Sequence, residues 1–205
     1  FSADFKWYNG SGFPFGLCIS DVSGEIKIWI SKERGLENIR SKERTPSTNI
    51  KIWKIVGQKL EIVRDFEDEI KKDLFDSKPL SYSRQLLQVN PVTGYLYIGK
   101  TLYEFNGKSF KSLYKINAGN GKISNVDLAF DAEDFCFDNN GFLYIKFQDI
   151  ISRYNSETMK EVPWDYGVEV KAGDVISGLR VPTFSGWHQG GIFVNVKGNI
   201  VIAGP

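Results

Sequence analysis

Two cysteines, a single histidine and a formal net charge of +1 are spread over 205 residues. Each scarcity removes a class of function. Two thiols cannot build the disulfide framework of a small secreted scaffold. One histidine without paired cysteines leaves no zinc pattern, and a charge near zero gives no electrostatic basis for nucleic acid or another polyanion as partner. No apolar run is long enough for a helix to cross a membrane, and no signal-peptide pattern is visible, so membrane insertion is not expected. No nucleophile–base or metal-binding motif stands out. The chain opens at Phe1 rather than at a methionine, which we read as a processed or partial product of a longer protein.

What the sequence does contain is a repeated hairpin. Phe135-Cys136-Phe137-Asp138-Asn139-Asn140-Gly141-Phe142-Leu143-Tyr144-Ile145 sets two apolar runs around a polar turn whose residues tolerate left-handed backbone angles. The same grammar recurs at 17–28, 87–98 and 192–202, with turn glycines at 24, 94, 141 and 198. The intervals of 70, 47 and 57 residues match four-stranded propeller blades of roughly 40 to 50 residues plus insertions. Second hairpins at 52–63, 102–111 and 151–162 alternate apolar with charged residues, so the first hairpins are expected nearer the buried axis. The fold class is therefore all-β, a single β-propeller domain over 1–205 with about four blades, and a β-sandwich as the alternative. The fourth unit lacks its second hairpin, so either the two ends meet or further blades complete a larger ring.

Three segments interrupt the repeat. The loop 31–49 carries Ser-Lys-Glu-Arg twice and mixes both signs of charge without one aromatic residue, which is the pattern of a solvated insertion. One short helix is expected over 67–75, where Phe66, Ile70 and Leu74 recur every four residues behind Asp65 as cap, ending before Pro79. The insertion 165–187 is expected on one rim of the disc, with short strands at 168–171 and 175–179.

The repeat also aligns residues across units. Cys18 and Cys136 fall at the same strand position two units apart, so both are expected free and buried. The entries to the four inner strands fall at 13–16, 83–86, 131–134 and 187–191. Together they define a mouth where Arg84, Gln85, Glu133, Asp134, Trp187, His188 and Gln189 are the ligand-binding candidates. This mixture suits a small polar ligand, a glycan or a hard cation, with Asp134 the candidate ligand for a divalent ion such as calcium. His188 has no partner that spacing can fix, so no catalytic residue is assigned. Asn9-Gly10-Ser11 would accept a glycan in a eukaryotic secretory pathway.

Asp138-Asn139-Asn140-Gly141-Phe142-Leu143-Tyr144-Ile145, followed by Ile151-Ser152-Arg153-Tyr154, resembles the NHL-type β-propeller repeat and the related gluconolactonase-like six-bladed propellers. The resemblance implies a ring of about six blades, of which four are visible here. It also implies a noncatalytic binding or scaffold segment of a larger extracellular or surface protein, with no cofactor, joined to the rest of a longer chain or to a protein partner. The lactonase branch implies the alternative of a metal-dependent lactonase- or esterase-like hydrolase. In that branch Glu, Asn and Asp hold one divalent cation at the axial ends of inner strands. Asp134 stands at a comparable position, whereas Gly16, Leu86 and Gly191 occupy the others. A third expectation is a structural piece of a multi-domain assembly.

Overall fold

The computed structural model describes residues 14–22, 25–33, 48–66, 83–102, 110–147, 149–164, 169–172, 176–180 and 191–202. Among these there is no helix, and the predicted helix at 67–75 lies outside them. The chain is all-β, as expected, and its strands form four antiparallel sheets in chain order. The first holds β1 (Pro14–Val22), β2 (Glu25–Glu33), β3 (Thr48–Val56) and β4 (Lys59–Asp65) as a simple meander. The second repeats the meander with β5 (Ser83–Val89), β6 (Leu96–Leu102), β7 (Phe110–Ile116) and β8 (Ile123–Ala132). The third comprises β9 (Asp134–Phe137), β10 (Phe142–Phe147), β11 (Ile150–Asn155), β12 (Glu169–Ala172) and β13 (Ile176–Arg180), in the order β12-β13-β11-β10-β9. The fourth is the pair β14 (Ile192–Val194) and β15 (Ile200–Ile202). Among the described residues no sheet closes on itself.

The first hairpins form where the repeat places them, and their turns explain why. Asp138 Oδ1 accepts from the amides of Asn140 and Phe142 at 2.9 Å each, which folds the chain back while Gly141 takes φ 81°. Asn195 does the same for Lys197 and Asn199 ahead of Gly198. A longer version begins at Asn90, Asn117 and Asn155, whose side-chain oxygens each accept from the amides two and three residues on. Its fifth position is left-handed, held by Gly94, Gly121 and Met159, the last at φ 54° without the freedom of glycine.

Two of the second hairpins differ from the sequence reading. In the second unit β6 runs on to Leu102 and pairs with β7 from Phe110, most of the foreseen 102–111 hairpin lies outside the described residues, and the outer hairpin is β7–β8 around Asn117. In the third unit the 151–162 hairpin reduces to one bridge between Tyr154 and Glu161. Pro163, which has no amide hydrogen for a ladder, follows, and the strand that pairs with β11 is β13. The strands foreseen at 168–171 and 175–179 are therefore the outer pair of the third sheet. The 31–49 insertion is also shortened, since β2 and β3 occupy its two ends.

Successive residues of a strand face opposite sides, so each sheet has a face toward the preceding sheet, its rear, and one toward the following sheet, its front. Three cores fill the spaces between consecutive sheets. Trp29, Ile52 and Phe66 from the front of the first sheet meet Leu87, Val89, Leu96, Ile98 and Ile116 from the rear of the second. Tyr97, Leu113 and Ala132 then meet Phe135, Leu143, Ile145, Ile150 and Tyr154, and Cys136, Tyr144 and Ile151 meet Ile192. Alternation holds residue by residue: Leu143 and Ile145 point back, while Tyr144 between them points forward. Arg64 reaches across the first space to the carbonyls of Ala118 and Gly119, at 3.0 and 2.7 Å.

Candidate functional site

The first strands β1, β5, β9 and β14 lie one beside the next, each the leading strand of its sheet. The turn ends of β1, β5 and β9 adjoin. The Gly94 turn sits against the side chain of Val22, and Asn90 reaches the Gly141 turn, donating to the Gly141 carbonyl at 3.3 Å and to Ser156 Oγ at 2.9 Å. Tyr97 adds a bond from its hydroxyl to the Ser156 carbonyl. The opposite ends of β9 and β14 also meet, and these are two of the four strand entries that the repeat assigns to its mouth.

Asp134 opens β9 on its front face, opposite Lys146 of β10. Its Oδ2 accepts from the Ile192 amide at 2.8 Å, and its Oδ1 from the Phe135 amide at 2.9 Å. One carboxylate thus ties the start of the fourth sheet to the start of the third. Gly191 permits the approach, since a Cβ there would lie 3.0 Å from Asp134 Oδ2. Glu133 sits in the one-residue step between β8 and β9. Its amide donates to the Lys146 carbonyl at 2.9 Å, and its carboxylate forms an ion pair with the Lys146 ammonium, the two side chains only 6 and 7% exposed. A pair so deeply removed from water persists only when each charge satisfies the other, because desolvating either one alone costs several kcal/mol, on the order of 3–5.

The sequence-derived candidates therefore separate. Glu133 and Asp134 adjoin at the start of the third sheet, with Glu133 Oε2 paired to Lys146 and the two oxygens of Asp134 accepting from the Phe135 and Ile192 amides. Arg84 and Gln85 lie within β5, opposite Thr101 and Lys100 of β6. Trp187, His188, Gln189 and the acceptor Asn9 lie outside the described residues. No group of three His, Cys, Asp or Glu side chains placed to hold a metal occurs among the described residues. No helix among them is long and apolar enough to cross a membrane.

Sequence reasoning missed two features. Lys146 was signalled by being the one charge in the otherwise apolar strand Phe142–Phe147. The second is a cluster on the front of the third sheet, where the Arg153 guanidinium lies 5.4 Å from the Phe142 ring centre and 5.3 Å from that of Trp164. Arg153 also donates to the carbonyls of Val162 and Pro163, and Tyr144 donates to Asp138 Oδ2 at 3.0 Å. This arrangement holds 162–164 against the sheet. The cysteines are both free, as expected, Cys136 buried and Cys18 partly so. Burial pushes the Cys18 thiol up to about 11 and also raises that of Cys136, so neither is a ready nucleophile at neutral pH.

Comparison of the sequence with family models and with curated proteins returns no match.

Proposed function

We propose that the chain is a noncatalytic binding and scaffold segment with the geometry of a β-propeller, its sheets arranged as blades. It belongs to a larger extracellular or surface assembly and receives a polar ligand, a glycan or a peptide, at the mouth formed by the starts of its leading strands. The observation that carries the reading is the serial arrangement itself: four sheets in chain order, each front on the next rear, with leading strands side by side. Meander sheets packed in this way spread the chain around a common centre and gather its connections at the two ends. The NHL-type resemblance agrees with that geometry and says little about chemistry, because function resides in sites rather than folds.

The hydrolase reading draws less support. It needs carboxylates at the mouth with oxygens directed at a cation, and those of Glu133 and Asp134 are directed at Lys146 and at backbone amides. The reading as a structural piece is favoured by one specific observation, the exposed isoleucines on the rear of the first sheet. The binding reading is tested with glycan and peptide arrays probed by the wild type and by Arg84→Ala and Trp187→Ala variants. The expected result is a ligand class whose signal falls in both variants. Signals indifferent to both, or none at all, would remove the mouth as a site, and a stoichiometric cation that chelator strips would instead promote the hydrolase.

A further inference from the structure

The repeat assigns a partner to the two faces that the three internal cores leave over. Val89, Phe137 and Val194 occupy one repeat position on the rear of the second, third and fourth sheets, and each packs against the sheet before it. The residue at that position in the first sheet is Ile19, which is 64% exposed. Around it the register places Ile28, Trp53 and Ile62 in one row across the sheet, with Ile26 and Ile55 on the same face. Ile26, Ile55 and Ile62 are exposed too. Among the described residues the rear of the first sheet thus has the apolar make-up of the other three rears, with Ile19, Ile26, Ile55 and Ile62 left exposed around a buried Trp53.

The opposite end of the series shows the converse. Cys18 and Cys136 face forward into filled cores, while Phe193, at the equivalent position of the fourth sheet, is 48% exposed and pairs across the strands with Val201. In all three internal junctions a front meets a rear. The leftover front and the leftover rear are therefore of complementary kind, and they lie at opposite ends of the series.

We propose that the front of the fourth sheet docks on the rear of the first sheet of a second copy of this chain, so that copies associate head to tail. The contact continues the junction already made three times, with β14 and β15 covering the inner strands β1 and β2. It is heterologous, since different patches meet, and it propagates unless the copies close into a ring. The inference rests on the scaffold part of the reading above and is independent of any ligand at the mouth.

The polarity of the contact makes it testable by mixing. Sedimentation velocity over a range of concentrations should show wild-type protein growing in mass. Ile19→Glu and Phe193→Glu, both at exposed positions, should each keep the wild-type circular dichroism and remain monomeric. An equimolar mixture of the two variants should form a dimer and nothing larger, because each supplies the one face that the other retains. A wild type that stays monomeric at all concentrations would overturn the proposal. So would a Phe193→Glu protein that still self-associates, or a mixture that stays monomeric. Monomeric protein that still binds a ligand in a manner dependent on Arg84 would sink the self-association alone and leave the binding reading standing.

Discussion

At the turn end of the third sheet, the neutral amide of Asn90 joins three segments: it caps its own turn and donates to Gly141 and Ser156. At the mouth end of the same sheet, charge does the joining, with Glu133 neutralised by Lys146 and Asp134 holding the Ile192 amide. The turn end ties the sheet back to its predecessor, and the mouth end ties it forward to its successor. Acidic residues at the start of a strand can thus be structural fasteners. The junction of the third and fourth sheets gains rigidity from carboxylates that in a hydrolase would face solvent and substrate.

The largest expected effect comes from splitting the buried pair. Glu133→Ala or Lys146→Ala leaves an uncompensated charge out of water and should cost about 3–5 kcal/mol in urea unfolding. The double change Glu133→Gln with Lys146→Met should recover most of that loss, and a double variant as unstable as either single one would deny that the two residues act as a pair. On the turn side, Asn90→Ala removes a buried donor and acceptor and strands their partners, for a loss of about 2–3 kcal/mol. An Asn90→Ala loss under about 0.5 kcal/mol, within the range of an ordinary surface change, would mean that the turn end is not held as described.

Alkaline pH strikes the sheets between those two ends. Burial pushes the hydroxyls of Tyr97 and Tyr154 up to about 12, and burial together with the nearby charge of Asp138 does so for Tyr144. The unfolded chain releases these protons near pH 10 while the native chain keeps them. Stability from this source is therefore complete below about pH 10 and is lost as pH rises toward 12. Unfolding midpoints that stay level from pH 9 to 12 would contradict it. The smallest effect belongs to Met159, left-handed where Gly94 and Gly121 stand. Met159→Gly relieves about 1–2 kcal/mol of backbone strain but forfeits thioether packing against the second core, so a net change below about 1 kcal/mol is expected in thermal unfolding.

Much of this fold was legible because its strongest signals are local. Asp138 with Gly141, and Asn195 with Gly198, write their turns into four or five consecutive residues, and the strands beside them follow. What escaped was non-local. The second unit offered local turns both at Asn106-Gly107 and at Asn117 to Gly121, and only the pairing of β7 with β8 shows that the outer hairpin is the one around Asn117. Pairing of β11 with β13 spans a long connection, and no local pattern announces that Pro163 ends the nearer alternative. The chemistry of the junction between β9 and β14 was not legible. Spacing brought Glu133 and Asp134 to it, yet the Lys146 that neutralises one and the Ile192 amide that occupies the other are long-range partners.

Whether the mouth carboxylates are fasteners is settled most directly at Asp134. Urea unfolding of the wild type and of Asp134→Asn, each with millimolar calcium and with chelator, separates the two roles. As a fastener, Asp134 gives a wild-type midpoint indifferent to calcium, and the amide variant loses about 1–2 kcal/mol equally in both conditions. A wild type that calcium stabilises, with the gain abolished in Asp134→Asn, would contradict the account and make Asp134 a metal ligand.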